Sequence, residues 1–187
     1  MVKKRVIYIH GFNSSPLSAK AQLLGEFLAH FNVDYQVPLL NHQPLEALVT
    51  IERMINSHTV LVGSSLGGFY ATYLSQKYKV PAVLINPAVA PHQLMHSLLG
   101  QQYNPYQQYH YELTLEHVEQ LKKLYLPQLP IAEQILLLQQ SGDEVLDFQQ
   151  AVRYYKNSPQ VVEFGGDHSF IGFERYFAKI VEFLKIT

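Results

Sequence analysis

Short apolar runs rich in valine and isoleucine alternate along the chain with longer stretches of mixed polarity and helical spacing. Runs apolar at nearly every position suit strands buried on both faces, and crossover helices join such strands into a mostly parallel sheet. The predicted strands are Arg5 to His10, Asp34 to Val37, Thr59 to Gly63, Ala82 to Asn86, Gln134 to Gln139 and Gln160 to Phe164. Helical patterns fall between them at about Ser18 to Phe31, Pro44 to Asn56, Leu66 to Tyr78, Leu146 to Tyr155 and Phe173 to Leu184. Pro16, Pro44 and Ser57 punctuate these units as turn residues do. The rhythm breaks between Pro87 and Pro130, where no strand is predicted. There, a run of Tyr, Gln, His and Pro around Gln101 to Tyr111 precedes an amphipathic stretch from Thr114 to Tyr125. Segment 87–130 reads as a helical cap inserted after the fourth core strand, where a lid over a site could be built. An extra helical layer without catalytic contact is the other reading of the same pattern.

Composition adds bounds to this pattern. At 187 residues, with 48% hydrophobic and 16% charged residues, the chain suits a single domain, 1–187, with a sizeable core. Fourteen basic against 15 acidic residues give a net charge of -1, which supplies no broad positive field for nucleic acid or anionic lipid. Lys3, Lys4 and Arg5 precede only four apolar residues, Val6 to Ile9, far short of a secretory or membrane-spanning segment. The expectation is a cytoplasmic protein with no membrane insertion. With no cysteine there is neither a disulfide nor a thiol nucleophile.

The strongest chemical signal is Gly63-Ser64-Ser65-Leu66-Gly67, lying between a predicted buried strand and a predicted helix. In a Gly-x-Ser-x-Gly turn the central serine is held in a strained conformation, and the flanking glycines let strand and helix approach without a Cβ clash. The register selects Ser65 over Ser64, and the helix start offers unpaired N–H groups to an oxyanion. A serine hydroxyl needs a base, and in this arrangement the chain order is Ser, acid, His. Of nine histidines, His10, His30, His42 and His58 precede Ser65, while His92, His96, His110 and His117 fall in the insertion. His168, in Gly165-Gly-Asp-His-Ser169 after the last predicted strand, is the expected base. The acid should follow the preceding strand, where Asp143, Glu144 and Asp147 lie. Asp143 comes first off the strand after a turn glycine, and Val145 is read as opening the next helix. Asp147 is expected to face that helix's first turn, where a carboxylate is favoured, and Asp167 to point elsewhere.

The first strand ends in His10-Gly11-Phe12-Asn13-Ser14-Ser15-Pro16. The Phe12 and Leu66 backbone N–H groups would form an oxyanion hole, with Gly11 allowing close approach and His10 and Asn13 shaping the loop. No metal site is expected, since only His92 and His96 share a suggestive spacing. The Tyr and Phe content lacks the basic stripe that a base-stacking surface would carry. Neither a Gly-x-Gly-x-x-Gly motif nor a P-loop is present.

Five segments together resemble the small bacterial esterases of the YqiA type, which are minimal α/β hydrolases: Tyr8-Ile-His-Gly-Phe-Asn-Ser-Ser-Pro16, Gly63-Ser-Ser-Leu-Gly-Gly68, Ile85-Asn-Pro-Ala88, Gly142-Asp-Glu-Val-Leu-Asp147 and Gly165-Gly-Asp-His-Ser-Phe170. The resemblance implies an α/β fold with a mostly parallel sheet of about six strands, helices on both faces, and a catalytic triad on Ser65, Asp143 and His168. It also implies hydrolysis of a small-molecule acyl ester or thioester, such as a short acyl ester or an acyl-CoA compound, without a cofactor. The rival expectation is a catalytically silent scaffold that binds a partner through the Tyr-rich insertion.

Overall fold

The computed structural model describes residues 3–187. Six parallel strands form the central sheet: β1 (Lys4–Ile9), β2 (Val33–Gln36), β3 (Thr59–Ser64), β4 (Ala82–Ile85), β7 (Ile135–Gln140) and β8 (Gln160–Glu163), in the order β2-β1-β3-β4-β7-β8. Crossovers between them carry helices α1 (Ala19–Leu28), α2 (Pro44–Glu52), α3 (Leu66–Tyr78) and α6 (Phe148–Tyr154), and α7 (Phe177–Phe183) closes the chain. Alternate residues of each strand feed opposite layers, as the period of two requires. Ile7, Ile9, Leu61, Leu84 and Leu137 pack with residues of α2, α3 and α6 on one face. Val6, Tyr8, Val62, Ile85 and Leu138 pack with α1 and α7 on the other. The sheet is therefore buried on both sides, which is why its central strands read as unbroken apolar runs.

The segment between β4 and β7 differs from the sequence expectation. It holds the short helix α4 (Pro91–Met95) and α5 (Leu115–Leu124), but also an antiparallel hairpin of β5 (Gly100–Asn104) and β6 (Tyr109–Leu113), where no strand was predicted. The expected all-helical segment is thus corrected to a mixed one of helices and a hairpin. The hairpin is half-buried: Tyr111 and Leu113 face the core while His110 and Glu112 face solvent. Its turn is built by Asn104, whose Oδ1 accepts from the N–H groups of Tyr106 and Gln107 (both 3.0 Å). α5 opens with a reciprocal cap between Thr114 and His117, and buries Val118, Leu121 and Leu124 against the α2–α3 side.

Two helix boundaries also shift. Val145 does not open a helix: the chain turns non-helically over residues 144–146, and α6 begins at Phe148 with Asp147, extended at φ -65° and ψ 105°, as N-cap, accepting from Gln149 N–H (2.9 Å). The last helix is preceded by a separate 3₁₀ turn over Phe173–Tyr176. Among the described residues no helix is long and apolar enough to cross a membrane.

Candidate active site

Ser65 stands alone between the end of β3 and the start of α3, with φ 55° and ψ -124°. This is a conformation that favours glycine and costs a side-chain-bearing residue of the order of 1–3 kcal/mol. The turn holds because its neighbours interlock: Ser65 N–H donates to Ile85 O (3.1 Å), and Ser65 O accepts from Gly68 N–H (2.9 Å) and Ala88 N–H (3.0 Å). The flanking glycines are set by steric contact. A Cβ on Gly67 would sit 1.9 Å from Ile9 O, and one on Gly63 would sit 2.4 Å from Gly67 O. Only a bare backbone lets α3 start this close to β1 and β3.

Two loops from neighbouring strands meet at Ser65. After β7, Ser141 and Gly142 run against the start of the loop after β8. Ser141 N–H donates to Glu163 O (2.9 Å), and Gly142 N–H donates to Gly165 O (2.8 Å). A Cβ on Gly142 would meet Gly166 O at 2.3 Å, so this glycine permits the contact between the loops. Asp143 follows, with its side chain wholly buried. Its Oδ1 accepts from the N–H groups of Val145 and Leu146 (both 2.9 Å), which fixes the carboxylate plane. His168 Nδ1 lies 2.9 Å from Asp143 Oδ1 and 2.8 Å from Oδ2. On its other side, His168 Nε2 lies 3.1 Å from Ser65 Oγ. The structure thus brings Asp143, His168 and Ser65 into one line of hydrogen bonds. Asp147 stays on α6, paired with Arg153 at 3.6 Å, and Glu144 accepts instead from the backbone N–H of His168 (2.9 Å).

The loop after β1 lies against the same serine, since a Cβ on Gly11 would be 3.2 Å from Ser65 Cβ. Phe12 follows it, and Leu66 is the first residue of α3, where N–H groups lack intrahelical acceptors. Among the described residues neither amide has a loop, turn or side-chain acceptor. His10 is buried, with Nδ1 3.1 Å from Gly11 O and Nε2 accepting from Leu40 N–H (3.3 Å). Burial lowers its pKa, and because Nε2 accepts, the ring proton sits on Nδ1. The hairpin bears directly on this loop: Tyr111 OH donates to Asn13 Oδ1 (2.8 Å), Asn104 Nδ2 to Ser14 O (3.3 Å) and Gln107 Nε2 to Ser14 O (3.1 Å). Between loop, hairpin and α5 runs a narrow pocket lined by Phe12, Leu40, Leu66, Tyr70, Met95 and Leu121, with His42 stacked on Tyr111 at 4.2 Å. Its cavity volume is about 30 Å³.

Residues to which the sequence assigned no role complete the site. Asn86, fully buried at the end of β4, donates from Nδ2 to Asp167 O (2.9 Å) and accepts at Oδ1 from Gln140 N–H (2.9 Å) and Gln139 Nε2 (3.0 Å). Gln140 accepts at Oε1 from Asp167 N–H (3.2 Å). The available sequence signal was a polar residue ending an apolar strand, at Asn86 and again at Gln139 and Gln140. No group of three or more His, Asp or Glu side chains is gathered as a metal site would need, among the described residues.

The same fold recurs among solved structures. The mouse alpha/beta hydrolase domain-containing protein 10 superposes with a TM-score of 0.77 at 16% identity, over 99% of this chain and 92% of that one. A putative hydrolase from Agrobacterium vitis S4 gives 0.74 at 20% identity, over 97% and 88%. The Pyrococcus furiosus esterase Pf2001 gives 0.62 at 14% identity, over 98% and 80%. At these identities the likeness is one of fold, and it makes the six-stranded sheet with its cap an α/β-hydrolase fold. A family model described as "Uncharacterised protein family (UPF0227)" matches residues 5–185, and the chain belongs to that family, the YqiA type that its motifs resemble.

Proposed function

We propose that the protein is a serine hydrolase that cleaves small-molecule acyl esters or thioesters through an acyl-enzyme. The observation that carries this reading is the hydrogen-bonded line from Ser65 Oγ through both nitrogens of His168 to the buried Asp143. Asp143 accepts a hydrogen bond from Nδ1–H, which leaves Nε2 as the basic nitrogen facing the serine. Ser65 Oγ attacks the acyl carbonyl as His168 takes its proton, and the Phe12 and Leu66 N–H groups receive the oxyanion. His168 then protonates the leaving alcohol or thiol, and a water deprotonated by the same ring releases the acid. Every proton in this sequence is moved by the protein's own groups, so no cofactor is called for.

The narrow pocket beside Phe12 and Leu66 supports a short acyl group, because a long chain would have to displace the hairpin that is pinned to the same loop. Two fold neighbours, one described as a putative hydrolase and one as an esterase, are in keeping with this chemistry. The test is labelling by a fluorophosphonate, with Ser65→Ala as control, followed by turnover of p-nitrophenyl butyrate and of a short acyl-CoA. Labelling that disappears in the variant supports the reading. A folded wild type that is neither labelled nor active would refute it and favour the binding scaffold.

A further inference from the structure

Beyond Gly165, the loop that carries His168 is held by neither a strand ladder nor a helix. Between β8 and the 3₁₀ turn at Phe173 its backbone takes positive φ at Gly165, Gly166, Phe170 and Gly172. Its polar backbone groups are received largely by side chains from elsewhere. Asp167 N–H donates to Gln140 Oε1 (3.2 Å), and Asp167 O accepts from Asn86 Nδ2 (2.9 Å) as well as from Phe170 N–H within the turn (3.1 Å). His168 N–H donates to Glu144 Oε2 (2.9 Å), and Ser169 O accepts from Lys20 Nζ (2.9 Å). The Glu144 and Lys20 bonds are exposed, where water competes and little is gained. Asn86 and Gln140 are 0% and 1% exposed, so the tether that water cannot replace is theirs.

Asn86 is shaped for this place. The β4–β7 ladder pairs Ile85 with Leu138, and Asn86 N–H makes a last bond to Leu138 O (3.0 Å). The backbone of Asn86 then turns to φ 41°, a region asparagine tolerates better than most side chains. Its side-chain amide takes over as a peptide group would. Oδ1 extends the ladder by one more bond, to Gln140 N–H, while Nδ2 reaches the chain just before His168.

We infer that Asn86 is a positioning residue: its side-chain amide ties the His168 loop to the ends of β4 and β7 and so sets the 3.1 Å spacing between His168 Nε2 and Ser65 Oγ. The inference rests on His168 acting as the base of the proposed reaction. Asn86→Asp isolates the tether, because it keeps the shape, the Oδ1 acceptor and the tolerance of positive φ. It replaces only the donor, with an oxygen that repels Asp167 O. A shift of about 1 Å in a catalytic group costs about 100-fold in rate.

The experiment compares the full-length wild type with Asn86→Asp, Asn86→Gly and Thr72→Val. Asn86→Gly relieves the backbone strain while deleting the tether, and so covers the case in which the buried aspartate does not fold. Thr72→Val is a control for stability alone, removing a buried hydroxyl that bonds Gly68 O and Tyr155 OH (both 2.8 Å). The readouts are kcat and KM on p-nitrophenyl butyrate, the fluorophosphonate labelling rate, and the thermal midpoint. Either folded Asn86 variant should lose about 100-fold in kcat with KM held within a few-fold, and its labelling should slow in step. Thr72→Val should lower the midpoint and leave kcat in place. A folded Asn86 variant with kcat within about threefold of wild type, or with its loss confined to KM, overturns the inference. A wild type that is not labelled at all overturns the reading beneath it, and is recognised without any variant.

Discussion

Asp143→Asn tests the assignment of the acid, because the two side chains have the same shape. In the wild type Asp143 Oδ1 accepts from Val145 and Leu146 N–H, and the carboxylate faces His168 Nδ1 at 2.8 Å. An asparagine can keep Oδ1 on those two amides, so the loop survives, but its NH₂ group must then face the imidazole. Nδ1 becomes an acceptor, the ring proton moves to Nε2, and the nitrogen that faces Ser65 Oγ can no longer take a proton. A wrong tautomer of this kind costs about 10⁴-fold in kcat, which is about 5.5 kcal/mol of activation free energy. Asp147→Asn is the matched control: Asp147 caps α6 by accepting from Gln149 N–H, and asparagine caps a helix as well as aspartate does. The assay is steady-state hydrolysis of p-nitrophenyl butyrate by both variants, with circular dichroism to verify folding. Retention of more than about a tenth of kcat in Asp143→Asn, or a larger loss in Asp147→Asn, would refute the reasoning.

Other outcomes follow from the same geometry. Ser65→Gly should abolish turnover yet stabilise the fold by about 1 kcal/mol by relieving the positive φ at this turn. A thermal midpoint that fails to rise by about 2–4 °C counts against stored strain. Gly67→Ala should cost more than about 4 kcal/mol or prevent folding, because the added Cβ meets backbone atoms of Ile9 and His10 that cannot swing away; a soluble variant with a near-native midpoint would contradict this. Tyr111→Phe removes the 2.8 Å bond to Asn13. If the hairpin holds the loop after β1 and that loop receives the oxyanion as proposed, kcat/KM should fall about fivefold, corresponding to about 1 kcal/mol, and an unchanged value would mean that the loop stands alone. Finally, burial lowers the pKa of His10 from its ordinary 6.5. The unfolded chain therefore binds a proton that the fold refuses, and stability present above that value is lost as pH falls below it. The thermal midpoint should drop between about pH 7 and pH 5, less steeply in His10→Asn, and equal slopes would remove His10 as the cause.

The alternation of strands and helices was legible because burial on both faces leaves β1, β3, β4 and β7 apolar nearly throughout, a pattern that needs no partner to be recognised. The hairpin was not. Its inward face rests on Tyr109, Tyr111 and Leu113 in one strand, while the other is largely glutamine, tyrosine and asparagine, and its burial exists only where α5 and the loop after β1 come to meet it. Local helical pattern does not reveal that the chain turns non-helically over residues 144–146, so that Asp147, extended at φ -65° and ψ 105°, is the residue that caps α6. The turn at Ser65 is contiguous in sequence, so strand, glycines and helix announced it together. Which carboxylate meets His168 is another matter: Asp143, Glu144 and Asp147 are near neighbours in the chain, and they diverge only when the loops after β7 and β8 close on each other through Gly142 and Gly165. The sequence by itself determined the layered α/β architecture and the strained serine, since both follow from local pattern. The tertiary structure alone decided the acid's geometry, the mixed cap and the tether at Asn86, since each depends on strand ends brought side by side by the order β4-β7-β8.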